Sequence, residues 1–66
     1  MQATVKTFDA ATRSGSVFLD DGTEIPFEAE AFDAGPLRHL RSGQRVNIVL
    51  TAGRVTYVTL STFPTP

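Results

Sequence analysis

Apolar and β-branched residues alternate with polar ones in five short stretches of this chain. Residues 3–8 (Ala-Thr-Val-Lys-Thr-Phe) form the first stretch and read as a strand. A polar, turn-prone stretch covers 9–14, and then comes a second strand over 15–19, Gly-Ser-Val-Phe-Leu. Asp20-Asp21-Gly22-Thr23 puts an Asp-Gly pair between two apolar runs, the strongest short hairpin signal in the chain. Residues 24–28 return as a third strand, in which Pro26 has no N–H for a ladder bond and so belongs at an edge or a bulge. Ala29 to Ala34 fit a turn of helix that Gly35-Pro36 then breaks. Residues 45–51 make a strand with Val46, Ile48 and Leu50 on one side. Ala52-Gly53 turns the chain into a fifth strand over 54–62. Strict alternation there sets Val55 and Tyr57 against Thr56, Val58 and Leu60. Five short strands with one long connection after the third predict an all-β fold, a five-stranded antiparallel Greek-key barrel. The domain is expected over 1–62 and a C-terminal tail over 63–66.

The chain has 66 residues, enough for one domain with a thin core, because a chain this short buries only about 60% of its surface on folding. A hydrophobic content of 41% argues against disorder. There is no cysteine, so neither a disulfide nor a thiolate is available, which suits a reducing compartment. No basic stretch leads into an apolar run at the N-terminus and no apolar stretch approaches a membrane span, so a cytoplasmic protein is expected. Arginine outnumbers lysine five to one, a composition that goes with a GC-rich bacterial genome.

The net charge of −1 gives no general attraction to polyanions, but its distribution is uneven. All seven acids fall in residues 1–33 against Lys6 and Arg13, whereas residues 34–66 hold four arginines and no acid. The asymmetry permits an acidic face and a basic patch, although segments this short interleave in a closed barrel.

Few residues carry chemistry. Arg38, His39 and Arg41, with Arg45 nearby, form the one basic cluster. They are candidates for holding phosphates or an acidic protein surface, or for balancing Glu28, Glu30 and Asp33. His39 has no second His or Cys and reads as a surface residue, so no metal is expected. Asp20 and Asp21 are turn formers. Glu28 and Glu30 would share a face if the third strand ran on, which resembles a catalytic carboxylate pair, but a barrel of this size offers no obvious pocket. The Ser and Thr residues have no base beside them, and no Gly-rich phosphate loop is present. No enzymatic activity and no cofactor are expected. Phe18 stands out: by strand parity it shares a face with Ser14 and Ser16. Exposed, it would serve as a contact for a base or a protein; otherwise the tail or the long loop covers it.

The order of these pieces resembles the bacterial cold-shock proteins. Val5-Lys6-Thr7-Phe8-Asp9 matches their opening V-K-W-F-N. Thr12-Arg13-Ser14-Gly15-Ser16-Val17 falls on the first nucleic-acid motif, K-G-F-G-F-I. Asp20-Asp21-Gly22 matches the acidic turn, and Ile25-Pro26-Phe27-Glu28-Ala29-Glu30-Ala31-Phe32 falls on V-F-V-H-F-S-A-I. Pro36 to Val46, with Leu40, Gly43, Gln44 and Val46, matches G-F-x-x-L-x-x-G-Q-x-V. The gapless match covers roughly residues 3–46, and the final strand needs a short deletion after Gly53. The resemblance implies an OB-type barrel that holds single-stranded RNA or DNA by stacking bases on exposed aromatics, with lysines along the phosphates.

At the matching positions the binding surface is largely replaced. The tryptophan becomes Thr7, the two phenylalanines of the first motif become Ser14 and Ser16, and the aromatics of the second become Pro26, Glu28 and Ala29. The loop aromatic becomes Leu37, and only Lys6 and Phe8 persist. Each base–aromatic stack contributes roughly 1–3 kcal/mol, so losing three or four removes several powers of ten in affinity. Val5, Val17, Ile25, Phe27, Phe32 and Val46 keep the core apolar. The resulting expectation is a cold-shock-like nucleic-acid-binding module with weakened or altered recognition, using Lys6, Phe8, Arg13, Phe18, Arg38, His39 and Arg41. The alternative is an interaction adaptor on the same scaffold, for a protein partner such as a ribosome or RNA polymerase component.

Overall fold

The computed structural model describes residues 1–65. Pro66, the last residue of the expected tail, lies outside them. Five antiparallel strands build one sheet: β1 (Gln2–Asp9), β2 (Ser14–Leu19), β3 (Glu24–Phe27), β4 (Arg45–Thr51) and β5 (Arg54–Leu60). A short helix, α1 (Ala29–Ala34), stands where the sequence predicts a helical turn. The strand order is β3-β2-β1-β4-β5, so a three-stranded meander and a hairpin meet along β1 and β4. That seam pairs Gln2, Ala3 and Thr4 with Asn47, Val46 and Arg45. β3 and β5 are the two edges, and no ladder pairs them. Helix α1 packs against β5 beside this gap.

The connections follow from local chemistry. In the β2–β3 turn Gly22 takes φ +89°, and the Asp21 carboxylate accepts from the Thr23 N–H at 2.9 Å. The β1–β2 turn closes by Arg13 N–H donating to the Asp9 carbonyl at 2.7 Å, which puts Arg13 at φ +56°. The two-residue β4–β5 turn has φ +53° at Ala52 and +80° at Gly53, the signature of a type I′ hairpin. Helix α1 has only six residues, and its N-cap Glu28 makes no side-chain cap bond, so packing rather than propensity holds it. It buries Ala31 and Phe32 and ends at Gly35, where any side chain would strike the Val58 carbonyl of β5.

The core gathers Ala3 and Val5 from β1, Val17 from β2, Phe27 from β3, and Ala31 and Phe32 from α1. Val46 and Ile48 from β4 and Val55 and Val58 from β5 complete it, with Leu40 from the long loop. Each of the larger side chains contributes roughly 1.5–3 kcal/mol by leaving water. All six residues expected to keep the core apolar lie in it or pack against it, Ile25 only partly buried.

Two β-bulges reset the side-chain parity. In β1 the register steps from Val5↔Val17 to Thr7↔Ser16, leaving Lys6 as the extra residue. Lys6 and Thr7 are therefore both exposed, and Phe8 returns to the core side. In β5 the register steps from Val55↔Leu50 to Tyr57↔Val49, with Thr56 as the extra residue. Val58 is consequently buried with Val55, not opposite it as strict alternation predicts. The fifth strand stops at Leu60, short of the expected residue 62. The segment beyond β5 is tied down: Gln2 Nε2 donates to the Ser61 carbonyl and Asn47 Nδ2 to that of Phe63.

Candidate functional site

The face of the sheet turned away from the core is a grid of rows set by strand register. One row runs Arg45–Thr4–Phe18–Glu24 across four strands, from β4 to β3. The next runs Thr7–Ser16–Pro26, and beyond it Asp9 faces Ser14. Strand β2 has no bulge, so parity places Phe18 here as the sequence predicts, and it is 37% exposed. The Lys6 ammonium stands 5.7 Å from the ring centroid, a cation–π distance. The hydroxyls of exposed Thr7 and buried Ser16, in the next row, bond to each other at 3.2 Å.

The cations around Phe18 are already engaged. Lys6 Nζ donates to Glu24 Oε1 at 3.0 Å. Arg45 reaches the Asp20 carboxylate at 2.9 Å while also donating to the Thr4 hydroxyl at 3.1 Å. Lys6 beside Glu24 holds that carboxyl below its ordinary value, with a smaller contribution from the Ser16 hydroxyl. Asp21 is also lowered, by the Thr23 N–H it accepts from. Each of these pairs is largely exposed and competes with water and salt.

The long loop borders this face. Gly43 N–H donates to the Val5 carbonyl and Val5 N–H to the Gln44 carbonyl, extending the β1 edge past the seam. Ser42 Oγ donates to the carbonyl of the bulged Lys6 at 2.8 Å, which ties the loop segment that follows Arg41 to this strand. Arg38 and Arg41 are exposed and form no ion pair among the described residues. His39 is exposed but sits edge-on to Phe8, with ring centroids 5.5 Å apart. It helps anchor the loop alongside the buried Leu40.

The sequence-predicted residues therefore divide. Lys6 and Phe18 share the outer face, and Arg41 flanks it across the loop. Phe8 is on the other side, packed 4.9 Å from Phe32 and 6.4 Å from Phe27 between ring centroids. Its position is structural, because the bulge at Lys6 turned it inward. Arg13 leaves the sheet at the β1–β2 turn and donates to Asp33 of α1 at 3.0 Å. Glu28 and Glu30 do not share a strand face; β3 ends at Phe27 and both lie at the start of α1.

Two features are not legible in the sequence. The row that carries Phe18 ends on Glu24, whose partner Lys6 is fixed by the bulge. An open cleft also exists, despite the small size of the molecule: about 410 Å³ between α1 and the β4–β5 turn. No signal in the sequence pairs α1 with that turn. Among the described residues no cluster of three or more His, Cys, Asp or Glu side chains is placed to hold a metal. No helix among them is long and apolar enough to cross a membrane. No protein-family model, curated protein or solved structure matches the chain.

Proposed function

We propose that this protein is a single-stranded nucleic-acid-binding module of the OB, cold-shock-like kind, with a contact surface reduced to one stacking ring. In this reading the sheet is a Greek-key barrel whose seam lies between β3 and β5. Phe18 carries the proposal: an exposed ring on the outer face, with the Lys6 ammonium over it and two hydroxyls in the next row. A base stacks on Phe18, and the strand's phosphates run towards Lys6, Arg41 and Arg38 along the loop border. Since Lys6 must exchange Glu24 for a phosphate, its net gain is small. Affinity in the micromolar range or weaker is the consequence.

Titration of the protein into a fluorescent poly-pyrimidine single strand at low and moderate salt tests the reading. Saturable binding is expected, falling with a log–log salt slope of about −2 for some three phosphate contacts. Phe18→Ala should weaken it about tenfold, the loss of one stack. No binding at high micromolar protein and low salt sinks the reading.

A second reading has its own support. Lys6, Arg13 and Arg45 are all neutralised by acids of the same chain, and the row beside Phe18, Thr7–Ser16–Pro26, holds no aromatic ring. A surface of that kind suits a protein partner, with Phe18 as the buried anchor, such as a component of the ribosome or RNA polymerase. Capture of such a partner that survives nuclease and is lost in Phe18→Ala distinguishes the two.

A further inference from the structure

Seven carboxylates lie on the side chains of this molecule, and five of them are satisfied by its own donors. Asp9 accepts from Ala11, Asp21 from Thr23, Glu24 from Lys6 and Asp33 from Arg13, and Asp20 forms an ion pair with Arg45. The two that have no such partner among the described residues are Glu28 and Glu30, and both line the cleft between α1 and the β4–β5 turn. Arg54 lines the same cleft and forms no ion pair within 4 Å among the described residues. Two carboxylates and one guanidinium thus line one cleft, with no ion pair among them in the described residues.

The cleft is lined by Ala31 and Val55, both buried, and by Thr51 and Thr56, whose hydroxyls bond to each other. Its volume of about 410 Å³ falls within the usual range for small-molecule sites. A second hollow of about 130 Å³ adjoins it along β3 and shares Glu28, Arg54 and Val55. Gly35 lets α1 lie close against β5, and Arg54 opens β5 directly after the type I′ turn.

We propose that this cleft binds a small basic amino acid, its carboxylate against Arg54 and its cationic groups against Glu28 and Glu30. The complementarity is specific in sign and number: the wall offers two negative groups and one positive, and arginine or lysine offers the inverse. The methylene chain lies over Ala31 and Val55. The site is separate from Phe18, with no lining residue on the Phe18 row, so it neither needs the nucleic-acid reading nor competes with it.

Amide shifts of the isotopically labelled protein, titrated with L-arginine, L-lysine, agmatine and L-citrulline, test the proposal. Agmatine lacks the carboxylate, and citrulline lacks the side-chain cation. Arginine and lysine should give saturable shifts centred on Glu28, Ala31, Arg54 and Thr56. Agmatine and citrulline should each bind about fivefold more weakly, the upper end for losing one exposed ion pair. Arg54→Gln should remove the preference for arginine over agmatine, and Glu30→Gln the preference for arginine over citrulline. These positions are at the surface, and unchanged amide shifts in β1 and β2 will show that the variants fold. Agmatine binding as well as arginine overturns the proposal, because the cleft would then be no more than an acidic surface. Shifts elsewhere, or none that saturate, overturn it as well.

Discussion

Thr59 carries the one buried side-chain oxygen without a hydrogen-bond partner among the described residues. It faces Asn47 across the β4–β5 ladder and is fully buried. Its hydroxyl was desolvated on folding with nothing gained in return, which costs about 1–3 kcal/mol. Thr59→Val keeps the branched shape and removes that cost, so urea unfolding should show a gain of about 1 kcal/mol. Titration reports on the outer face in the same residue-by-residue way. The folded-state values of Glu24 and Asp21 are depressed below the ordinary 4.5 and 3.8. Their contribution to stability is fully present above those ordinary values and is lost as the pH falls through the lowered ones. In Lys6→Met the depression at Glu24 should largely vanish, while that at Asp21, which rests on Thr23, should remain; carbon-detected side-chain titrations check both. Single residues were legible where the strand was regular, as Phe18 was. Phe8 was not, because its side depends on a residue inserted two positions earlier.

The elements themselves were plain in the sequence, since each strand lay between turn residues and carried its own alternation. Both bulges were hidden for one physical reason. A bulge is set by the register between two strands, and counting by twos along one strand does not detect it. A trace was present: Val5 to Phe8 and Val55 to Val58 are apolar pairs three apart, a spacing that a regular strand cannot bury on one side. Ala52 holds a left-handed conformation that costs a residue with a Cβ, and a type I′ turn favours asparagine there. Ala52→Asn should stabilise the hairpin by about 0.5–1 kcal/mol, read as a higher urea midpoint with an unchanged slope. Because Ala52 edges the cleft, the substitution also shows whether a stiffer turn alters what the cleft accepts.

Across the whole molecule, the division of charge between the two halves of the sequence does not survive as two faces. Arg45 from the basic half pairs with Asp20 from the acidic half, as expected for interleaved segments. What the charge count could not reveal is which groups remain free, and those decide both the proposed nucleic-acid path and the cleft. The core is thin enough for one side chain to be decisive. Phe27 is 2% exposed, and its ring lies 6.4 Å from that of Phe8. Phe27→Ala should cost about 3–5 kcal/mol, comparable with the entire stability of a domain this small. Circular dichroism at 25 °C should find it largely unfolded. The seam between β1 and β4 has a further consequence, in the time domain. The meander and the β4–β5 hairpin are local and form within microseconds, but Gln2 meets Asn47 only after the whole intervening chain has come round. Loop-closure entropy predicts that this encounter limits the folding rate. A Gly-Ser insertion after Pro36 should therefore slow refolding in stopped-flow experiments, whereas Ala52→Asn, acting inside a hairpin already formed, should leave the unfolding rate unchanged and speed refolding.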